Sequence, residues 1–556
     1  MKLLIVALNA KYVHTNLAVR YLYQVSGKIC DVEIAEFSIN DNVIAIEREI
    51  LKTNSDVVAF SCYIWNIEMI KHIASDIKKS SGATIIFGGP EVSYDSTDFM
   101  KENSFVDYII KGEGEIVFPK LIKYLSDQGT FPDEGLAFRQ NGNIFENKFA
   151  TPVMFDRIPF PYNESDCKSG KILYYESSRG CPYSCKYCLS GENKGVRFKN
   201  VDEVKHDLTY FDNLDVQLVK FVDRTFNADK KRACEIWKHI SSLKGNTRFH
   251  MEITGEILDD ETVGFLEKVN AEKLQFEIGV QTTNHKTLDA INRKCNTDKL
   301  FSNIKKLIEK TDIHIHLDLI AGLPYEDISS FEKSFNDVLS LRPHVLQLGF
   351  LKLLKGSAMR DEAENHDMIY RDYAPYEIIS NKYINHKDIM LLKDIDFVFD
   401  KIYNSGDFVH TIDFLFKKFE NKFSVFKRIV HDFDAKGLMN KSFSKAKLFD
   451  EIFDVFFYLG SDFEEALRFD YITALHPGKM PKWSRGDDYF RMSESVYDFL
   501  KNEEIKKDIM PMYFNVPAKM LIKHFRFEKF TSKIVAFDYK TNLVYDVTSY
   551  ISDEKQ

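Results

Sequence analysis

Three cysteines within eight residues are the first feature of this chain with chemistry in it: Arg179-Gly180-Cys181-Pro182-Tyr183-Ser184-Cys185-Lys186-Tyr187-Cys188. Thiolates at C-x3-C-x2-C spacing on one tight loop can ligate three irons of a cubane cluster and leave the fourth iron without a protein ligand. An iron left open in this way can bind a substrate or a cofactor. The competing reading is a zinc knuckle; zinc ribbons usually carry C-x2-C pairs at two places, and no second pair exists here. The other five cysteines, Cys30, Cys62, Cys167, Cys234 and Cys295, are scattered, which is not the pattern of a disulfide scaffold.

The loop must be held by something regular, and it follows a strand ending Tyr175-Glu176-Ser177-Ser178. From about 171 to 360, six β-rich runs alternate with helical patterns: Ile172 to Ser177, Val219 to Val222, Phe249 to Ile253, Leu274 to Val280, His314 to Ile320 and Val345 to Phe350. This rhythm predicts an incomplete version of the eightfold barrel, whose active residues lie at strand C-termini. Ahead of it, residues 1–125 predict a parallel sheet wrapped by helices, with strands at Leu3 to Leu8, Val57 to Ser61, Thr84 to Phe87 and Tyr108 to Ile110. Ligands of such a sheet sit beyond the carboxyl ends of its strands. The segments there, which include Tyr12, Ser61, Gly88-Gly89-Pro90 and Gly112-Glu113-Gly114-Glu115, are small, aromatic and glycine-rich, as a bulky planar ligand requires.

Residues 126–170 read as a connector punctuated by turn signals such as Asn141-Gly142-Asn143. Beyond 365 the βα rhythm breaks down and aromatic residues become frequent. Helices are expected at Phe449 to Leu459 and Tyr489 to Leu500, and a hairpin at Lys533 to Tyr539 with Leu543 to Val547. The expected fold is α/β: a Rossmann-like domain (1–125), a partial (β/α)6 TIM-type barrel (171–365) and a mostly α C-terminal domain (366–556).

Composition narrows the function. The 556 residues carry 75 Lys and Arg against 84 Asp and Glu, a net charge of −9 that disfavours binding to a phosphate backbone. No apolar run is long enough to cross a bilayer, and the opening Lys2 to Leu8 meets Asn9 and Lys11 too early for a signal peptide, so a cytoplasmic protein is expected.

The cysteine loop resembles that of the radical S-adenosylmethionine (SAM) superfamily. The resemblance implies a 4Fe-4S cluster on Cys181, Cys185 and Cys188 whose open iron is chelated by SAM, with Tyr187 beside the adenine. It implies further SAM contacts from Asp223 and Thr225 (methionine amino group), Glu252 and Gln281 (ribose), Arg293 (carboxylate) and Asp318. The sheet ahead of the core is similar to the cobalamin-binding domain that many such enzymes carry, which implies corrin contacts from Tyr12, Ser61, Gly88, Gly89 and Glu113. A D-x-H-x-x-G run does not follow the first strand, and His14 lacks the Asp and Gly of that motif. The lower face of cobalt is therefore expected to be free of histidine. The C-terminal section resembles an uncharacterised bacterial domain that follows this pair.

As a whole the resemblance implies a cobalamin-dependent radical SAM enzyme that cleaves SAM reductively to a 5′-deoxyadenosyl radical, with methylation of an unactivated carbon as its outcome. Rearrangement or cyclisation without methyl transfer, and a non-catalytic cobalamin or redox sensor, stand as alternatives. The implied partners are a small-molecule or peptide substrate and an electron donor such as flavodoxin or ferredoxin, with neither a membrane nor nucleic acid.

Overall fold

Leu3 to Leu8 are apolar at every position, as suits a strand covered on both faces, and β1 (Lys2–Asn9) is such a strand, buried from Leu3 onward. In the computed structural model, which describes residues 1–155, 158–191, 195–484 and 494–551, it lies inside a seven-stranded sheet. The other strands are β2 (Asp31–Ser38), β3 (Val57–Ser61), β4 (Thr84–Gly88), β5 (Tyr108–Ile110), β6 (Leu136–Gln140) and β7 (Asn143–Glu146), in the order β2-β1-β3-β4-β5-β6-β7. The first five are parallel. β6 and β7 add antiparallel, turning through Asn141 and Gly142, both at positive φ as a type I′ hairpin requires. The stretch expected to be a connector thus completes the N-terminal sheet.

The barrel strands are β8 (Leu173–Tyr175), β11 (Leu218–Phe221), β12 (Arg248–Glu252), β13 (Leu274–Gln281), β14 (His314–Ala321) and β15 (Val345–Phe350). Between the first two lies an antiparallel hairpin of β9 (Ser178–Cys181) and β10 (Gly195–Phe198). All six barrel strands are parallel, in the order β15-β14-β13-β12-β11-β8, the open curved sheet that six βα units give. Burial alternates strictly along β13 and β14. Phe276, Ile278, Ile315 and Leu317 pack outward under the helices; Glu277, Gly279, His316 and Asp318 occupy the other face. Trp237 on the helix Lys230–Ser242 anchors the outer layer against Phe226 and Phe276, donating its indole N–H to Met251 Sδ at 3.2 Å.

The first compact unit runs to Ile389, so residues 366–389, expected with the C-terminal domain, pack with the barrel. They include the short pair β16 (Ile369–Tyr370) and β17 (Ile378–Ser380). The preceding turn docks on the N-terminal domain: Gly356, at φ +80, lies so close to the Tyr94 ring that a Cβ there would sit 2.3 Å from it.

The second unit, Met390–Gln556, is mostly helical. Asp470 is buried there and accepts from the backbone N–H groups of His410 and Thr411 at 3.0 and 2.7 Å, closing the start of the helix Val409–Lys418. The expected helix at 449–459 is Lys445–Phe456 with a short continuation, and the one at 489–500 is Glu494–Lys501 where described. The expected hairpin is β19 (Ile534–Asp538) and β20 (Val544–Asp546), joined by β18 (Phe525–Lys529). No helix among the described residues is long and apolar enough to cross a membrane.

Gly356→Ala is expected to cost about 1 kcal/mol for its left-handed backbone plus about 1–3 kcal/mol for overlap with Tyr94. Gly82→Ala, also at positive φ but with open space around it, should cost only the first term. Denaturant unfolding of the two variants checks the difference.

Candidate cofactor site

β9 ends on Cys181, and the loop returning to β10 carries Cys185 and Cys188, which puts three thiols at the C-terminal mouth of the barrel. The loop is tied down from several sides. The N–H of Cys188 donates to the Cys185 carbonyl at 3.1 Å, and that of Lys186 to the Ile291 carbonyl at 3.0 Å. Asn292 Nδ2 donates to the carbonyl and hydroxyl of Ser184, each at 2.9 Å. Cys181 Sγ lies 3.4 Å from Thr225 Oγ1, and burial pushes the Cys185 thiol up.

Arg293 crosses beneath this loop. One Nη reaches Tyr187 Oη at 3.4 Å and lies 3.9 Å from Cys185 Sγ, while the other donates to the Gly279 carbonyl. Gly279 leaves the room for this: a Cβ there would stand 2.2 Å from Gln281 Nε2. Gln281 itself sits at φ +71, where the register of β13 on β14 slips. Glu252 ends β12, with Arg224 Nη1 3.8 Å from its carboxylate. Burial lifts the Glu252 carboxyl to about 7, against the pull of Arg224. Asp318 is raised as well, by burial and by the negative charges of Glu277 and Glu252.

Gln281 Oε1, Arg293 Nε and Asp318 Oδ1 are buried with no hydrogen-bond partner. Native interiors satisfy nearly all such atoms, so three gathered about Gly279 and the end of β13 mark a place where a polar ligand completes the set. This donor set, beside three thiols, fits SAM on a three-cysteine cluster.

Asp223 serves the cysteine hairpin. It is fully buried and its oxygens are spent on the β8–β9 turn, accepting from Ser177 N–H at 2.8 Å, Ser177 Oγ at 2.7 Å and Ser178 Oγ at 2.5 Å. It holds the strand that delivers the cysteines.

Around the N-terminal sheet, Ser61 accepts from Asn16 Nδ2 at 3.2 Å, and Tyr12 is 74% exposed. Gly88 ends β4, and Gly89, at φ +117, is demanded by the Cys62 backbone, whose carbonyl oxygen would lie 2.4 Å from an added Cβ. Tyr63 and Trp65 stack at 4.4 Å just past β3. Burial pushes the Tyr63 phenol up to about 12, and Glu176 and Arg224 of the barrel are among the charges acting on it. The strand ends therefore abut the barrel mouth. Small residues and an aromatic shelf there fit a corrin. His14 is engaged elsewhere, its Nδ1 2.9 Å from Tyr174 Oη.

Glu113 is tied up in an ion-pair node that the sequence reading did not assemble. Arg179, two residues before Cys181, pairs with Glu113 at 3.2 Å, Glu115 at 2.7 Å and Glu176 at 2.7 Å. Arg197 on β10 also pairs with Glu113. Burial works against the Glu113 charge, yet Arg197 and Arg179 hold its carboxyl below the usual range. The available signal was two arginines flanking the cysteine loop opposite a Glu-Gly-Glu turn.

A Rossmann-like sheet set against a six-stranded open barrel with three thiols at its mouth defines the class. Comparison with known families makes it specific: the B12 binding domain matches residues 3–122, the radical SAM superfamily 175–338, and a protein of unknown function, DUF4080, 364–549. The chain thus carries a B12 binding domain and a radical SAM domain in succession, followed by the DUF4080 region. Among curated relatives it is 26% identical to a 2-(S-pantetheinyl)-carbapenam-3-carboxylate methyltransferase of Streptantibioticus cattleyicolor, over 52% of this chain and 46% of that protein. It is also 26% identical to the cobalamin-dependent radical SAM methyltransferase TokK of Streptomyces tokunonensis, over 53% and 47%. The chain spans about half the length of these relatives. The solved structure of OxsB, a cobalamin-dependent SAM radical enzyme, shares the fold at a TM-score of 0.62, with 13% identity over 85% of this chain and 81% of that one.

Breaking the arginine node should leave buried carboxylates uncompensated. Arg179→Met is expected to destabilise the first unit by about 3–5 kcal/mol, and Arg197→Met, whose partner keeps Arg179, by less than half of that. Trp65 and Trp237 both lie in that unit and report its unfolding by fluorescence.

Proposed function

We propose that the chain is a cobalamin-dependent radical SAM methyltransferase acting at an unactivated carbon of a small-molecule or peptide substrate in the cytoplasm, with a flavodoxin or ferredoxin as electron donor. When bound, the cluster and SAM supply a 5′-deoxyadenosyl radical and cobalamin supplies a transferable methyl group. Cys181, Cys185 and Cys188 would hold the cluster. Arg293 would pair with the SAM carboxylate, the planar fork that suits a guanidinium. Glu252 and Gln281 would hold the ribose hydroxyls, Tyr187 the adenine edge, and Thr225 and Asp318 the remaining polar atoms. Asp223 would act by fixing Ser177 and Ser178, and Ser61, Gly88, Gly89 and Tyr12 would border the corrin. Glu113 would position the cysteine hairpin through Arg179 and Arg197 rather than touch cobalamin.

The observation that carries this reading is the trio of buried, unpartnered atoms on Gln281, Arg293 and Asp318 beside the three thiols. Protein reconstituted anaerobically with iron, sulfide and hydroxocobalamin, then given SAM and dithionite, should release 5′-deoxyadenosine, and Cys185→Ala should release none. Absence of product from protein with a full cluster overturns the reading.

Glu252 adds a pH signature. A carboxyl protonated below about 7 accepts ribose hydroxyls poorly, so SAM binding should tighten as pH rises from 6 towards 8, by up to about tenfold per unit on the acid side. In Glu252→Gln that pH dependence should be flat, as equilibrium dialysis of SAM can show.

A further inference from the structure

One layer below the SAM-binding residues, the barrel interior carries polar groups where barrels of this kind usually carry Val, Ile and Leu. Strand register brings them together. Glu277 on β13 lies directly opposite His316 on β14, and His250 on β12 is one step diagonal from Glu277. His250 Nε2 is 2.9 Å from Glu277 Oε2, and ligand atoms of His250, Glu277 and His316 all lie within 4.8 Å of one another. His250 is 3% exposed and its Nδ1 has no hydrogen-bond partner, a buried nitrogen that the protein leaves unspent. Behind His316, the rings of His314 and His344 follow at centroid spacings of 4.8 and 4.6 Å.

We propose that His250, Glu277 and His316 form a binding site for a divalent first-row metal ion, zinc in the first instance, inside the barrel and separate from the cluster. Two imidazoles and one carboxylate are the donor set of catalytic zinc sites, which keep a coordination position open. The ligands present can close on an ion by small side-chain rotations, because zinc bonds of about 2.0–2.2 Å place neighbouring donors roughly 3.3 Å apart. Lys220 on β11 is the cation that opposes this, acting on Glu277, His316 and Glu252. Burial opposes the Glu277 charge, yet His250 holds its carboxyl low, and Glu277 supplies the compensating negative charge. The coordination position left open on such an ion would take an oxygen ligand: a carboxylate, a phosphate or a carbonyl. The site does not depend on methyl transfer, since a chain that cleaved SAM to another end would hold the metal equally.

The test uses cluster-reconstituted, cobalamin-loaded protein given one equivalent of zinc chloride, desalted, and analysed for zinc and iron. Wild type should retain roughly one zinc per chain beyond the cluster iron. Glu277→Gln and His316→Ala should hold zinc at least about tenfold more weakly, with iron and cobalamin content unchanged. His206→Ala, which alters an exposed histidine, should behave as wild type. X-ray absorption at the zinc edge should show imidazole and oxygen neighbours without sulfur. Near-isosteric Glu277→Gln carries the test if His316→Ala folds poorly. Wild-type protein that retains no zinc, variants that retain it as wild type does, or sulfur in the zinc shell would each overturn the proposal; failure to make 5′-deoxyadenosine would not.

Discussion

Arg179 is the residue on which the geometry of the site depends. It stands on β9 two positions before the first cysteine and is paired with three carboxylates from two places: Glu113 and Glu115 at the end of the N-terminal sheet, and Glu176 between β8 and β9. A guanidinium taken out of water is tolerable only when its donors are met, and a fork that meets several carboxylates fixes direction as well as charge. The node therefore does two things at once. It sets the position of the cysteine hairpin, and it locks the edge of the N-terminal domain to the barrel mouth, so the two cofactor-binding surfaces share one frame. Two cofactors that exchange a small group need such a shared frame, since a misplacement of about 1 Å can cost two orders of magnitude in rate.

The same economy runs through the barrel. Asp223 spends its oxygens on Ser177 and Ser178, Gly279 yields its side-chain space to Gln281 and Arg293, and Gln281 accepts a left-handed backbone. Each is a local cost in polar burial or strain, and each lies at the C-terminal end of a barrel strand, where strain is retained only when surrounding structure over-determines it. Burial then shifts the carboxyls of Glu252 and Asp318 upward, so the mouth holds fewer negative charges near neutral pH than its residue types suggest. That suits a ligand which brings a carboxylate of its own.

Strand positions were readable from sequence to within a residue or two because parallel strands buried on both faces are short apolar runs bounded by turns. β2 escaped because an edge strand of the form Asp31-Val32-Glu33-Ile34-Ala35-Glu36 alternates with charge and lacks the apolar run. β6 and β7 escaped because Asn141-Gly142 was read as a linker turn when it closes a hairpin. That the three cysteines share one loop was legible from spacing alone, since three donors within eight residues need no tertiary information. Glu113 and Asp223 were legible as important and not as to purpose: which partner a carboxylate takes depends on what the fold brings to it, and no spacing in the chain encodes Arg179 against Glu113.

The interior histidines show the same limit from the other side. His250, Glu277 and His316 are separated by tens of residues and carry no motif, yet Leu274-Gln275-Phe276-Glu277-Ile278 and His314-Ile315-His316-Leu317-Asp318 alternate polar with apolar at period two. In a parallel strand covered on both faces such alternation has no reason to exist. A parallel strand that alternates must have one face turned to something polar, and in an incomplete barrel that face is the interior. His250, Glu277 and His316 make that face polar, one step along the strands from Glu252, Gly279 and Asp318. Fold and chemistry meet in that pattern: the inward residues set which ligands the open barrel can take.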